Sequence, residues 1–511
     1  MSVKEVTAEA QVDQHTGALW SNVGAIKAVT EAVQGTLGPK GLDCMLVDQY
    51  GRLVVTNDGI TILKTMDVTH PAARILISAV EFQEELVGDG TTTAAIIAGA
   101  LVSEGANQIM RGVPVIKVVD GIKQGLNRAL ELLEKMVVPI VTLDSPLLEA
   151  VTLISARNQS EIANLIIAAA RELGVEILSK PGFKLAEEVF ALEGADSCLI
   201  LGTIIDREPL NQEILDYIGE TRILILDDAL EPVFLEREVL ATEAGLKIWL
   251  QYQTQLKTDL EKLSLLGIKA IFTDRAISDQ AAEMLTDLGI MAIDSVSRRE
   301  WKRLAELSGA RPIKRSSLAK SSAEIFNYTG VVSEIQLDHQ FKQLRIFYKT
   351  GQKVLTILIG AHTKEVAGER ERIAKDAAGA LQTAWCGGVV SGGGSIELAL
   401  ARCLENEPVQ GMNTYGYHCV IEALKRPMAQ IAANAGFNPL EKVTAVLMAQ
   451  AEVDQESLGI DCETGMVVDL KELSVWDPYL VKKTALQSAG EVAEAILKIN
   501  LMIKMKEAVL D

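Results

Sequence analysis

In the first third of the chain apolar residues recur every three to four positions, which predicts helices over 15–37, 72–87, 91–110 and 116–136. A second helical block is expected over 145–178, where Ile162, Leu165, Ile166 and Ala169 share one face. Two short β-branched runs, 53–56 and 60–63, flank Asn57-Asp58-Gly59 and read as the strands of a hairpin with that triplet as its turn. Past residue 198 the texture alternates. Short apolar runs at 198–205, 222–226, 247–250, 270–273 and 291–293 read as strands, and amphipathic stretches such as 253–266 and 278–288 separate them. From Lys364 helices return and run nearly to the end. Helix-rich ends around an α/β middle predict that the middle is an insertion and that the two ends close one shared domain. A length of 511 residues allows about three domains. The expected fold class is therefore multidomain, α and α/β.

Composition narrows the field by exclusion. Asp and Glu outnumber Lys and Arg, 69 to 49, and no basic cluster stands out, so counterion release from nucleic acid is not expected to drive binding. No apolar run approaches the roughly 18 residues of a membrane span. Met1-Ser2-Val3-Lys4-Glu5 has no apolar signal core, and the six cysteines are scattered without a C-x-x-C pair. Both point to a reducing cytoplasm rather than a disulfide or zinc framework. The chain is rich in Ala, Val, Ile and Leu with only 4% aromatics, a composition that suits long helices and extensive subunit contacts, although a large monomer core would explain it nearly as well.

The candidate chemistry lies in three runs. Gly88-Asp89-Gly90-Thr91-Thr92-Thr93 leads directly into the apolar helical stretch from Ala94, so free N–H groups, a positive dipole end and three hydroxyls meet any anion held there. Asp89 would repel a bare polyphosphate, and a divalent cation with hard oxygen preference resolves that conflict. Gly38-Pro39-Lys40-Gly41 and Asn57-Asp58-Gly59 complete the set. Singly, each has a plainer reading as a turn or a helix cap, and none matches the Walker A spacing. Their co-occurrence is what indicates a Mg-nucleotide site. Two later features qualify as the missing parts: Asp376, an acid set among Ala374, Ala377 and Ala378, and the glycine-rich stretch 387–395. A solvated helix face and a domain junction are the plainer alternatives.

Thr36-Leu37-Gly38-Pro39-Lys40-Gly41, Thr56-Asn57-Asp58-Gly59, Gly88-Asp89-Gly90-Thr91-Thr92, the Glu369-Arg370 helix carrying Asp376, Val390-Ser391-Gly392-Gly393-Gly394 and Asp477-Pro478 occur in chaperonin order. Over essentially its whole length the chain resembles a group II-type chaperonin subunit, of the thermosome and eukaryotic cytosolic kind. The resemblance implies an equatorial ATPase domain from 1–143 and 392–511, an intermediate domain from 144–202 and 361–391, and an apical domain at 203–360 with a lid protrusion at about 232–255. It assigns Leu37, Gly38 and Pro39 to the phosphate loop, Asp89 to Mg2+, and Gly90, Thr91, Thr92 and Thr93 to the phosphates of ATP. Asp58 and Asp376 would orient and activate the attacking water, and Gly392 and Asp477 would contact the nucleoside. It further implies unfolded protein clients, a homo-oligomer of two stacked rings with about eight subunits each, and no separate cap. The alternative is a holdase or structural assembly without productive turnover; a small-molecule ATP-dependent enzyme would need a substrate pocket that the sequence does not suggest. One departure stands out. Where group II subunits place a lysine in a Gly-Lys-Gly-like loop, this chain reads Ser155-Ala156-Arg157-Asn158, which makes Arg157 the candidate γ-phosphate contact. Similar departures mark divergent group II-like chaperonins of some bacteria.

Overall fold

The computed structural model describes residues 12–13, 15–47, 53–211, 213, 216–231, 242–349, 352–500 and 502–503. It divides into two compact units, one from 1–195 with 359–511 and the other from 196–358.

The first unit is helical. Its core joins residues from both ends of the chain, with Leu19, Ile26 and Leu101 in the same cluster as Leu424, Val492 and Ile496. The Thr91–Met110 helix runs through that cluster and is buried on most of its circumference, which explains why its sequence is apolar all round rather than striped. Small residues let its neighbours approach: a Cβ on Gly99 would sit 2.5 Å from Thr30 Oγ1, and one on Gly105 would sit 2.5 Å from Leu497 Cδ1. Near the chain ends Val12–Asp13 pairs antiparallel with Met502–Ile503.

The second unit carries two four-stranded sheets. In one, Met291–Ile293, Ile268–Thr273 and Thr221–Leu226 are parallel neighbours, with Gly330–Val332 antiparallel at the edge. In the other, Gly202–Ile205, Gln343–Phe347, Glu334–Asp338 and Tyr217–Ile218 are antiparallel throughout. The period-2 geometry of a strand accounts for the continuous apolar run 223–226. Ile223 and Ile225 face a core shared with Leu344 and Ile346 of the second sheet, whereas Leu224 and Leu226 face Leu256, Leu260 and Leu285 of the covering helices.

Three expectations change. Residues 60–63 are not a strand; they belong to the Gly59–Thr65 helix, and the partner of Leu53–Thr56 is Cys44–Val47. Asp58 decides this, because its carboxylate accepts from the backbone N–H groups of Ile60 and Thr61 and so caps a helix instead of turning a hairpin. Residues 247–250 are likewise helical, within Glu243–Leu265: a short apolar run is ambiguous until its flanks extend it. The block at 145–178 breaks into Pro146–Ser155, Ser160–Leu173 and Val175–Leu178.

Of the expected protrusion, 232–241 lies outside the described residues. The rest opens the Glu243–Leu265 helix, whose first part exposes Leu246, Ile248, Leu250 and Tyr252 while Leu256, Leu260 and Leu263 of its second part are core. No described helix is long and apolar enough to cross a membrane, and all six cysteines are free thiols.

Candidate nucleotide site

The Thr91–Met110 helix begins at Gly90, which adopts a left-handed φ of 79° and provides no side-chain cap. Its first-turn N–H groups are therefore available to an anion. The loop before it is compressed between two other helices. A Cβ on Gly90 would lie 2.4 Å from Val481 Cγ1, and Gly88 meets Gly379 of the Lys364–Gly387 helix, a Cβ there lying 3.3 Å from the Gly379 Cα. Gln83, fully buried, ties the loop down by donating to the carbonyls of Asp89 at 3.0 Å and Val481 at 3.1 Å.

The other sequence-selected residues reach this corner by separate routes. A Cβ on Gly59 would meet Thr92 Oγ1 at 2.5 Å and Thr91 Oγ1 at 3.2 Å, so the Asp58-capped helix start abuts the threonine hydroxyls. The Leu37-Gly38-Pro39 loop is held by Asn434, whose amide donates to the carbonyls of Gln34 and Leu37, while Gly38 takes a φ of 85° beside Ile431. Val389–Ser391 pairs antiparallel with Trp476–Pro478, and this brings Gly392 against Asp477 so that a Cβ would stand 3.1 Å from the carboxyl carbon.

Carboxyl groups dominate the electrostatics. Loss of water, then the charges of Asp58, Asp89 and Glu84, push Asp376 well above the usual carboxylate range, with Arg157 pulling the other way. Burial likewise lifts Asp89 to about 6, with Asp477 adding to the rise; the Gly90 N–H, the Ser155 hydroxyl and Lys482 oppose it. Glu84 is pushed up to about 7 by burial, then by Asp58 and Asp89. Several acids thus share one poorly hydrated space, an arrangement that calls for cations.

Arg157 is near but engaged. It and Asn158 have left-handed φ values of 52° and 60°, uncommon for non-glycine residues, and the Arg157 guanidinium donates to Glu369 at 2.6 Å while Arg372 holds the other Glu369 oxygen. It is not a freely solvated side chain.

Five residues at this site escaped sequence reasoning: Gln83, Glu84, Ser155, Glu397 and Lys482. A signal existed for Glu397, which lies between Ile396 and Leu398 and so is a charge on an apolar stretch, like Asp376 among its alanines; Lys482, beside Lys483 and Thr484, carried none. Ser155 was visible only as part of the altered loop, and its hydroxyl donates to Asp89 at 3.3 Å.

A helix start open to an anion beside clustered carboxylates makes a candidate nucleotide site, carried by a helical unit interrupted in sequence by an α/β unit. Residues 29–507 match the model of the TCP-1/cpn60 chaperonin family, and the chain belongs to that family. It is 32% identical to thermosome subunit beta of Methanothermobacter thermautotrophicus over 94% of this chain and 91% of that one. To thermosome subunit 1 of Haloferax volcanii it is 33% identical, covering 94% and 88%. A crystal structure of a group III chaperonin in the open state superimposes with a TM-score of 0.87 at 44% identity, over 95% of this chain and 99% of that one. The chain is thus a group II-type chaperonin with the multidomain chaperonin fold, and its activity is ATP hydrolysis coupled to protein folding.

Proposed function

We propose that ATP binds with its phosphates over the Gly90–Thr93 helix start and its nucleoside against Gly392 and Asp477, the Leu37-Gly38-Pro39 loop closing on the phosphates. The observation that carries this reading is the uncapped helix start beside acids whose protonation is favoured by loss of water and then by neighbouring carboxylates. A cation shared between Asp89 and the phosphates would draw the rest of its oxygen ligands from ATP and water. Asp89 would hold Mg2+, which neutralises phosphate charge when bound. Asp58 and Asp376 orient the attacking water; they need not be strong bases, because phosphoryl transfer depends mainly on positioning and charge stabilisation. Since Asp376 belongs to the Lys364–Gly387 helix and not to the phosphate loops, a movement of that helix would take Asp376 from the site or return it, coupling hydrolysis to a conformational state.

In the same reading 1–143 with 392–511 is the equatorial domain, 144–202 with 361–391 the intermediate domain and 203–360 the apical domain. The assembly is two stacked homo-oligomeric rings of about eight subunits in the cytoplasm, enclosing unfolded protein beneath a built-in lid at about 232–255 with no separate cap. Two variants test the site. Asp376→Ala is expected to bind ATP nearly as the parent does but to hydrolyse it at least about tenfold more slowly, a loss of about 1.4 kcal/mol or more. Asp89→Ala is expected instead to weaken Mg-dependent binding itself. Parental turnover in the first, or parental Mg-ATP affinity in the second, overturns the corresponding role.

A further inference from the structure

The Tyr479–Leu497 helix carries a buried ion triad that the hydrolytic site does not account for. Lys482 Nζ lies 2.7 Å from Glu397 Oε1 and 2.7 Å from Asp477 Oδ2. The lysine and glutamate side chains are 9% and 2% exposed, whereas Asp477 is 25% exposed. The two inner members are thus sealed and only the aspartate reaches the surface. Burial by itself would lower the lysine pKa; the charges and hydrogen bonds of Asp477 and Glu397 outweigh it, and the ammonium is held charged. Glu397 Oε2 has no hydrogen-bond partner, so the pairing is not one that merely satisfies every buried atom.

We infer that Lys482, anchored by Glu397, is a positioning residue that sets the Asp477 carboxylate for the ribose hydroxyls of the nucleotide. A carboxylate only accepts hydrogen bonds, and the vicinal diol of a ribose is the donor pair a nucleoside offers it. With Oδ2 taken by Lys482, Oδ1 is turned to Gly392, where a Cβ would stand 3.2 Å away and close the approach. The preceding residue on the same helix does a matching job for the phosphates, since the Val481 carbonyl receives the Gln83 amide that also holds Asp89. One turn therefore registers the nucleoside end of the site against the phosphate end. A long lysine stem held at both oxygens it meets has little freedom left, and the geometry is fixed before nucleotide arrives.

This inference rests on Asp477 being the nucleoside contact, and the test separates the two. In the assembled protein, affinities for Mg-ATP and for its 2′-deoxy and 3′-deoxy analogues are compared, with kcat at saturation, in the parent, Asp477→Ala, Lys482→Arg and the double variant Lys482→Met with Glu397→Gln. The double variant leaves no uncompensated buried charge at 397 or 482, so it keeps the test open should Lys482→Met alone fail to fold. It is expected to lose about tenfold in ATP affinity and most of its preference over the deoxy analogues, the loss of one well-held hydrogen bond to a charged group. Lys482→Arg should recover part of the preference. If Asp477→Ala loses the ribose preference but the double variant keeps it, Lys482 is not a positioning residue. If Asp477→Ala also keeps it, the assignment of Asp477 to the nucleoside falls and takes the inference with it.

Discussion

Two charge networks in this chain, one buried and one half-buried, are built to opposite ends. In the α/β unit Arg303, 6% exposed, donates from Nη2 to the Leu355 carbonyl at 2.8 Å and to Thr356 Oγ1 at 2.9 Å, and from Nε to Thr203 Oγ1 at 3.3 Å. One turn earlier Glu300 accepts from the backbone N–H of Asp206 and, in a capping box, from Ser297. Each of these groups is answered by the protein, and such a network holds a fold together. At the candidate nucleotide site, by contrast, loss of water raises the pKa of Glu84, Asp89 and Asp376, the charge of Asp89 adds to the rise at the other two, and Arg157, which opposes the rise at Asp376, is committed to Glu369. What differs is the company each charge keeps: the buried Arg303 and Glu300 are met by polar partners, whereas the half-buried acids of the candidate site are set beside other acids.

The contrast is broken most directly at Arg303. Replacing it with Met leaves a buried carbonyl and two hydroxyls short of a donor, and is expected to cost about 2–3 kcal/mol of stability in urea unfolding while ATP turnover per folded subunit stays close to the parent's. A loss below about 1 kcal/mol would show that this network is not a scaffold.

At the nucleotide site the expected sign is reversed. Folding raises the Glu84 pKa from its ordinary value to about 7, so the folded state holds that proton more tightly than the unfolded chain does. Its cost to stability is complete above about pH 7 and is relieved as pH falls toward the ordinary glutamate value. Glu84→Gln should therefore stabilise the nucleotide-free protein at pH 8, by an amount of order 1 kcal/mol, and far less at pH 5. Melting temperatures at the two pH values decide it, and an equal change at both would remove Glu84 from the acid cluster.

The smallest effect is expected at Arg157. If ATP draws the guanidinium from Glu369 to the γ-phosphate, Arg157→Ala should shift the ATP concentration that half-closes the ring by about threefold, and Arg157→Lys should restore only part of it, because a lysine cannot reproduce the planar fork. Superimposable closure curves, followed by protease sensitivity, would leave Arg157 as a latch to Glu369 alone.

Much of this was legible along the chain. The helix start at Thr91 was placed at the residue where it occurs, because glycine freedom, hydroxyls and an apolar run are local signals that need no partner to be recognised. Asp376 stood out because an acid among alanines contradicts its own helix face. Asp58 was singled out for chemistry, yet its surroundings were misread as a hairpin: the β-branched residues after it suit a strand, and only the two backbone N–H groups it accepts settle the matter. The apolar run at 247–250 was ambiguous for the same reason, since four residues do not reveal their period.

What the sequence determined by itself is which residue types are available and where each element of strong local preference begins. The tertiary structure decided which of them face one another. Nothing local relates Glu397 to Lys482, 85 positions apart, or Gln83 to Val481, 398 apart. Those pairs exist because helix packing around the Thr91–Met110 core brings distant backbone into register, and a charge is stabilised or stranded by what lies within a few ångströms in space rather than by its neighbours in the chain.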